Sequence, residues 1–224
     1  MKKLFFALLL LILTYNLYAQ TVTNCQSNTQ DNSNQVSVNN FVLDDPNDTI
    51  FIWTSAMLTY EGNAFVYDDS GIYSQVADAP ANIIGHGQLF MRSGISYNNS
   101  PIIANWEVNN LTMSMIVCEL PNDGMLWRDP VYNNEDSVFG MDSGMIHGFI
   151  GSHINSHLFA FCVEAGASVM QPFIAGDDYY IPENATTERS GCEFGTILGT
   201  GMYKAKISWT GFALHASSVY LAFN

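Results

Sequence analysis

Residues 202–210 alternate strictly. Tyr203, Ala205, Ile207 and Trp209 occupy one parity, and Lys204, Lys206, Ser208 and Thr210 the other. Successive side chains of an extended chain point to opposite faces, so this period of two predicts a strand with one buried and one wetted face. Residues 111–120 carry a related pattern. Leu111, Met113, Met115 and Val117 share a face, while the opposite parity begins with Thr112 and Ser114 and ends with Ile116 and Cys118. That drift predicts a strand running from surface to interior. Residues 49–60, 157–164 and 219–223 are further strand candidates.

From Gln35 to the C-terminus, short apolar runs are punctuated by Gly, Pro, Asn and Asp clusters, the rhythm of many short strands joined by turns. Few windows hold an i, i+3, i+4 apolar stripe without Gly or Asn breaking it, so helix signals are thin. No internal repeat of fixed period is visible. Strands without alternating helices exclude βαβ units and predict an all-β chain, an antiparallel β-sandwich or jelly roll with few or no helices.

The N-terminus departs from that rhythm. Lys2 and Lys3 precede an almost unbroken apolar run from Leu4 to Leu13, and Ala19 supplies a small residue before Gln20. This is the order of a secretory signal peptide over residues 1–19. The run is shorter than the roughly 20 residues a membrane-spanning helix needs. The expectation is an exported protein, extracellular or periplasmic if the cell is bacterial, with no membrane span. Residues 20–34 are polar and read as a flexible lead, or as an edge segment tied down by Cys25. Residues 35–224 read as a single β-rich domain.

Charge narrows the partners. The chain carries 7 basic and 21 acidic residues, a formal net charge of −14. Losing Lys2 and Lys3 with the leader takes it to −16. Such a surface repels phosphate backbones, so nucleic acid and anionic membranes are poor partners, whereas cations, cationic proteins and neutral glycans are compatible. Acidity also serves plain solubility. Cys25, Cys118, Cys162 and Cys192 are an even set in an exported chain and predict two disulfides, with three connectivities open. No C-x-x-C spacing signals zinc or redox chemistry. Sequons at Asn47, Asn98, Asn110 and Asn184 matter only if the host glycosylates exported proteins.

Candidate chemistry follows from the turns. Acidic residues cluster at Asp44-Asp45-Pro46-Asn47-Asp48, at Asp68-Asp69 and at Asp177-Asp178. Calcium takes six to eight oxygen ligands, and Asp44, Asp45 and Asp48 are the metal candidates. No segment has the spacing of a calcium-binding helix–loop–helix, and Asp–Asn–Gly turns are ordinary solvated structure. Asp69-Ser70-Gly71 and Asp142-Ser143-Gly144 repeat a tripeptide with which aspartic proteases pair two carboxylates. Their separation is short for two lobes, and Tyr67-Asp68 does not suit the approach to the first. A serine triad around Ser143 would rely on His86, whose flanks are both glycine. His153 and His157 have a zinc-like i, i+4 spacing, but Ile154 stands where a metalloprotease base belongs. For ligand binding, Trp127 with Asp129, and Asp177 and Asp178 with Tyr179 and Tyr180, join aromatic rings to carboxylates as sugar sites do. Aromatic residues more often pack in cores, and Trp209 lies on the apolar parity of its strand.

No catalytic motif is complete. The leading expectation is an exported non-catalytic β-sandwich that binds a glycan, a surface or a protein, with calcium as an optional support. An extracellular acid hydrolase using Asp69 and Asp142 is the alternative, and a structural matrix component the third.

Overall fold

A computed structural model describes residues 22, 24–57, 62–79, 85–93, 99–107, 111–121, 131–133, 143–152, 158–166, 173–175, 179–196, 201–210 and 215–223. Among the described residues there is no helix, and every strand pairing is antiparallel. The first half contains β1 (Cys25–Ser33), β2 (Gln35–Val38), β3 (Thr49–Met57), β4 (Ala64–Asp68), β5 (Gly71–Ile72), β6 (Ser74–Ala79), β7 (Gly85–Arg92), β8 (Ile102–Trp106) and β9 (Leu111–Leu120). The second contains β10 (Val131–Asn133), β11 (Ser143–Ser152), β12 (Leu158–Gly166), β13 (Phe173–Ile174), β14 (Tyr179–Tyr180), β15 (Ser190–Thr196), β16 (Gly201–Thr210) and β17 (His215–Phe223).

Four sheets result. Sheet 1 has the order β1-β9-β3-β7-β6, sheet 2 β2-β8-β4-β5, sheet 3 β10-β17-β12-β15-β14 and sheet 4 β11-β16-β13. In the first half the pairing is nested: β1 with β9, β2 with β8, β3 with β7, β4 with β5. The second half nests alike: β10 with β17, β11 with β16, β12 with β15. Strand order in sheet 3 reproduces sheet 1 position by position, and sheet 4 reproduces the first three strands of sheet 2. This nesting is the jelly-roll arrangement, so the all-β sandwich expectation is met twice in one chain. The topology repeats although the sequence shows no repeat.

The halves share a core. One face of sheet 1 offers Phe51, Trp53, Leu89, Ile116 and Cys118 to Ala160, Cys162, Cys192, Phe194 and Val219 of sheet 3. The other face offers Ile50, Ile52, Phe90, Met113, Met115 and Val117 to Val36, Val66, Ile102, Ala104 and Trp106 of sheet 2. Sheet 4 lies on the far side of sheet 3, where Ile207 and Phe173 close over Gly191. The layers therefore stack in the order 2, 1, 3, 4. Covered on both sides, β3 buries all nine of its residues and β7 all eight. That is why residues 49–57 read as an almost continuous run rather than an alternation. Gly87 on β7 is required by close packing, since a Cβ there would lie 2.4 Å from the Trp53 ring.

Two expectations are refined here. Residues 111–120 pass from surface to interior within the first residues: Thr112 is half-buried and every residue from Met113 to Leu120 is buried. Ser114 is already buried, and its hydroxyl accepts a hydrogen bond from Thr187 Oγ1 at 3.2 Å. Thr112 instead donates to Asp31 Oδ1 on neighbouring β1 at 2.6 Å, on the exposed side, so the polar start of that parity serves one bond at the surface and one in the interior. Within the polar lead, Cys25–Ser33 forms the edge strand of sheet 1. The disulfides join Cys25 to Cys118 and Cys162 to Cys192, each pair directly opposed on neighbouring strands. Both face the core shared by the two halves. No helix among the described residues is long and apolar enough to cross a membrane.

Candidate functional site

Sheet 2 covers sheet 1 with one face and turns the other outward. Alternation sets the outward residues: Gln35 and Ser37 on β2, Ile103 and Asn105 on β8, Phe65 and Tyr67 on β4, Ile72 on β5. Register arranges them in two rows. Gln35, Asn105 and Phe65 form the first, and Ser37, Ile103, Tyr67 and Ile72 the second. Phe65 is 50 % exposed and Ile72 61 % exposed, and the rings of Phe65 and Tyr67 lie 5.6 Å apart at 38°. Asn105 Nδ2 donates to the Tyr67 hydroxyl oxygen at 3.2 Å. This fixes both side chains and leaves the Tyr67 hydroxyl hydrogen to point elsewhere. None of the seven residues is charged, on a chain with a formal net charge of −14.

The platform rests on a rigid underside. Asp68 ends β4 and points inward. Its Oδ1 accepts the backbone N–H groups of Ser70 and Gly71 at 2.7 and 3.0 Å, closing the β4–β5 hairpin. Arg92 Nη1 donates to the same oxygen at 2.9 Å, and the Tyr73 hydroxyl donates to Oδ2 at 2.8 Å. The Arg92 guanidinium also sits 4.9 Å from the Tyr73 ring centroid, a cation–π distance. Burial pushes the Asp68 carboxyl up, but the hydrogen bonds from Tyr73, Arg92 and Ser70 and the Arg92 charge outweigh it, leaving it below its ordinary value. At the other end of the sheet, His86 lies beneath Trp106 in an edge-on contact, ring centroids 5.5 Å apart. Its Nδ1 faces the Gly62 carbonyl at 2.8 Å and its Nε2 pairs with Asp78. Gln88 joins the cluster through Asn63 Oδ1 and the Ala64 N–H.

These contacts locate the residues singled out from sequence. Asp69 is at the exposed tip of the β4–β5 hairpin, where its N–H donates to Ser100 Oγ at 3.2 Å. The first Asp-Ser-Gly is thus a hairpin turn, and the carboxylate held inside is that of Asp68. Asp142 lies outside the described residues, as do Trp127, Asp129, Asp177, Asp178, His153 and His157. Tyr179 and Tyr180 form β14 and are half-buried. Tyr179 lies over Gly195, while Tyr180 packs near Phe194 and its hydroxyl accepts the Val22 N–H. Burial pushes the Tyr180 hydroxyl up. Both His86 ring nitrogens are engaged within the fold, one by a carboxylate and one by a carbonyl oxygen.

The Asp44–Asp48 turn is organised around an anion. Glu119 is buried, and its Oε2 accepts from the Asp44 N–H at 2.9 Å and from Asn24 Nδ2 at 2.6 Å, while its Oε1 accepts from the Asp45 N–H at 2.9 Å. Asp45 Oδ1 is bonded by the Asn47 backbone and side-chain amides at 2.8 and 2.9 Å. Among the described residues, no three His, Cys, Asp or Glu side chains converge as metal ligands would.

The sheet 2 platform was not singled out from sequence. Its signal is the alternation in Ala64-Phe65-Val66-Tyr67-Asp68, where two rings share one parity against small and branched partners. Aromatic residues are usually assigned to the core, and nothing local reveals which parity faces water.

Comparison with protein-family models gives no match, and neither does comparison with curated proteins.

Proposed function

We propose that this is an exported, non-catalytic β-sandwich protein that binds a component of the extracellular surface through the outer face of sheet 2. The observation that carries the reading is the uncharged platform of Phe65, Tyr67, Ile72, Ile103 and Asn105 on a strongly acidic protein. Exposed rings and branched side chains keep apolar surface in contact with water, a cost that a covering partner removes, and grouped apolar exposure is a feature of binding surfaces. The buried Asp68–Arg92 pair and the nested strands hold the platform rigid, which lowers the ordering cost of binding. Two disulfides suit an oxidising compartment outside the cytosol, consistent with a leader at residues 1–19.

The test is retention of the mature, oxidised protein on the surface of the producing cell. The double variant Phe65→Ser/Ile72→Ser should bind roughly tenfold or more weakly, the scale of losing a central contact residue. Its melting temperature should stay close to that of the unaltered protein, because both side chains are half or more exposed. Retention unchanged by the double substitution would exclude this face as the binding surface.

A further inference from the structure

From the make-up and size of the same face, we infer that its occupant is a neutral glycan; this rests on the binding reading above and names the ligand class. Four strands at about 4.8 Å spacing make the face about 14 Å wide, and two rows of side chains two residues apart make it about 7 Å deep. That span is on the order of 100 Å² in projection, small even allowing that the roughly 800 Å² each partner buries in a specific protein interface is accessible rather than projected area. A small flat ligand covers it alone, whereas a folded protein would also lie over the exposed carboxylates of Glu107 and Asp69 that follow β8 and β4. The chemistry is mixed on the same scale. The Phe65 and Tyr67 rings, 5.6 Å apart and inclined by 38°, offer two adjoining π faces. Their electron-rich surfaces suit the C–H face of a pyranose ring. Around them stand Gln35, Ser37, Asn105 and the Tyr67 hydroxyl, uncharged groups that donate to and accept from sugar hydroxyls. A lipid or purely apolar ligand would leave those amides unpaired. A uronate, sulfate or phosphate group would meet the net charge of −14 with no cation on the face to receive it.

The experiment measures surface retention of the mature protein and of its Phe65→Ser and Tyr67→Phe variants, before and after the surface is treated with periodate or with protease. Periodate cleaves vicinal diols and so destroys unprotected sugars. Retention should fall at least tenfold after periodate and survive protease. Soluble neutral oligosaccharides (gluco-, xylo- and manno-series) should compete for binding, and polygalacturonate should not. Phe65→Ser should weaken retention roughly tenfold, whereas Tyr67→Phe, which keeps the ring, should weaken it only a few-fold. Phe65-dependent retention that survives periodate and is lost to protease would overturn the glycan assignment while leaving the binding face in place. A Phe65-dependent dimer seen by sedimentation, with no surface retention, would assign the face to a second copy of the chain and overturn it as well. Retention that ignores Phe65 would instead remove the binding reading itself.

Discussion

Asp68 shows how one carboxylate is committed to structure. Its oxygens accept from Tyr73, Arg92 and two turn amides, and its side chain is fully buried. Among the described residues Arg92 Nη2 has no hydrogen-bond partner, and the guanidinium pairs with the Asp68 carboxylate. Asp68→Asn would leave that cation buried without its counter-charge, a change that typically costs about 3–5 kcal/mol. Chemical denaturation should show that loss, and Asp69→Asn, at the exposed hairpin tip, should show little. The folded carboxyl lies below its ordinary value of 3.8. Asp68 therefore contributes its stability in full above that value and loses it as pH falls through the folded value. Stability measured downward from pH 4 should drop more steeply in the unaltered protein than in Asp68→Asn. Parallel pH profiles would contradict the role given to this carboxylate. At this scale the sequence was half legible. Asp68-Asp69-Ser70-Gly71 announces a turn, but which of two adjacent carboxylates turns inward depends on the parity of β4, which tertiary packing decides.

Strands were the most legible elements. Residues 111–120 and 202–210 stand out because their hydrophobic period matches the pleat, and β9 and β16 fall where those patterns lie. Residues 25–33 were harder. CQSNTQDNS has almost no apolar content, and β1 forms because Cys25 is bonded to Cys118 and because β9 offers an unpaired edge. The disulfides are the element-scale devices of this fold. Cys25–Cys118 closes 93 residues and Cys162–Cys192 closes 30. In the chain-entropy model these loops correspond to about 4.6 and about 3.6 kcal/mol. Replacing Cys25 and Cys118 together by Ser should therefore lower stability by about 2–5 kcal/mol, and by more than the same change at Cys162 and Cys192. Urea denaturation of the two variants checks the order. Equal or reversed losses would mean that β1 holds its place without the bridge.

The whole molecule is two nested jelly rolls packed through sheets 1 and 3, with sheets 2 and 4 outside. The all-β class was legible in the turns and the missing helical stripes. The doubling was not, because a topology repeats through strand order and loop connection, which leave no residue-level period. Nor was the platform legible. Placing Phe65 and Tyr67 outside requires knowing that sheet 1 takes up the other parity, in Ala64, Val66 and Asp68. The stacking itself makes sheet 2 available, since sheet 1 is covered on both faces and sheet 2 on one.

The most direct test of the sheet 2 surface is hydrogen exchange read by mass spectrometry, on the mature protein alone and saturated with the neutral polysaccharide that competes best for retention. Slower exchange is predicted across residues 64–72 and 102–106, with peptides from β3 and β7 unchanged. Protection confined to other segments, with 64–72 and 102–106 exchanging as in the free protein, would contradict the account.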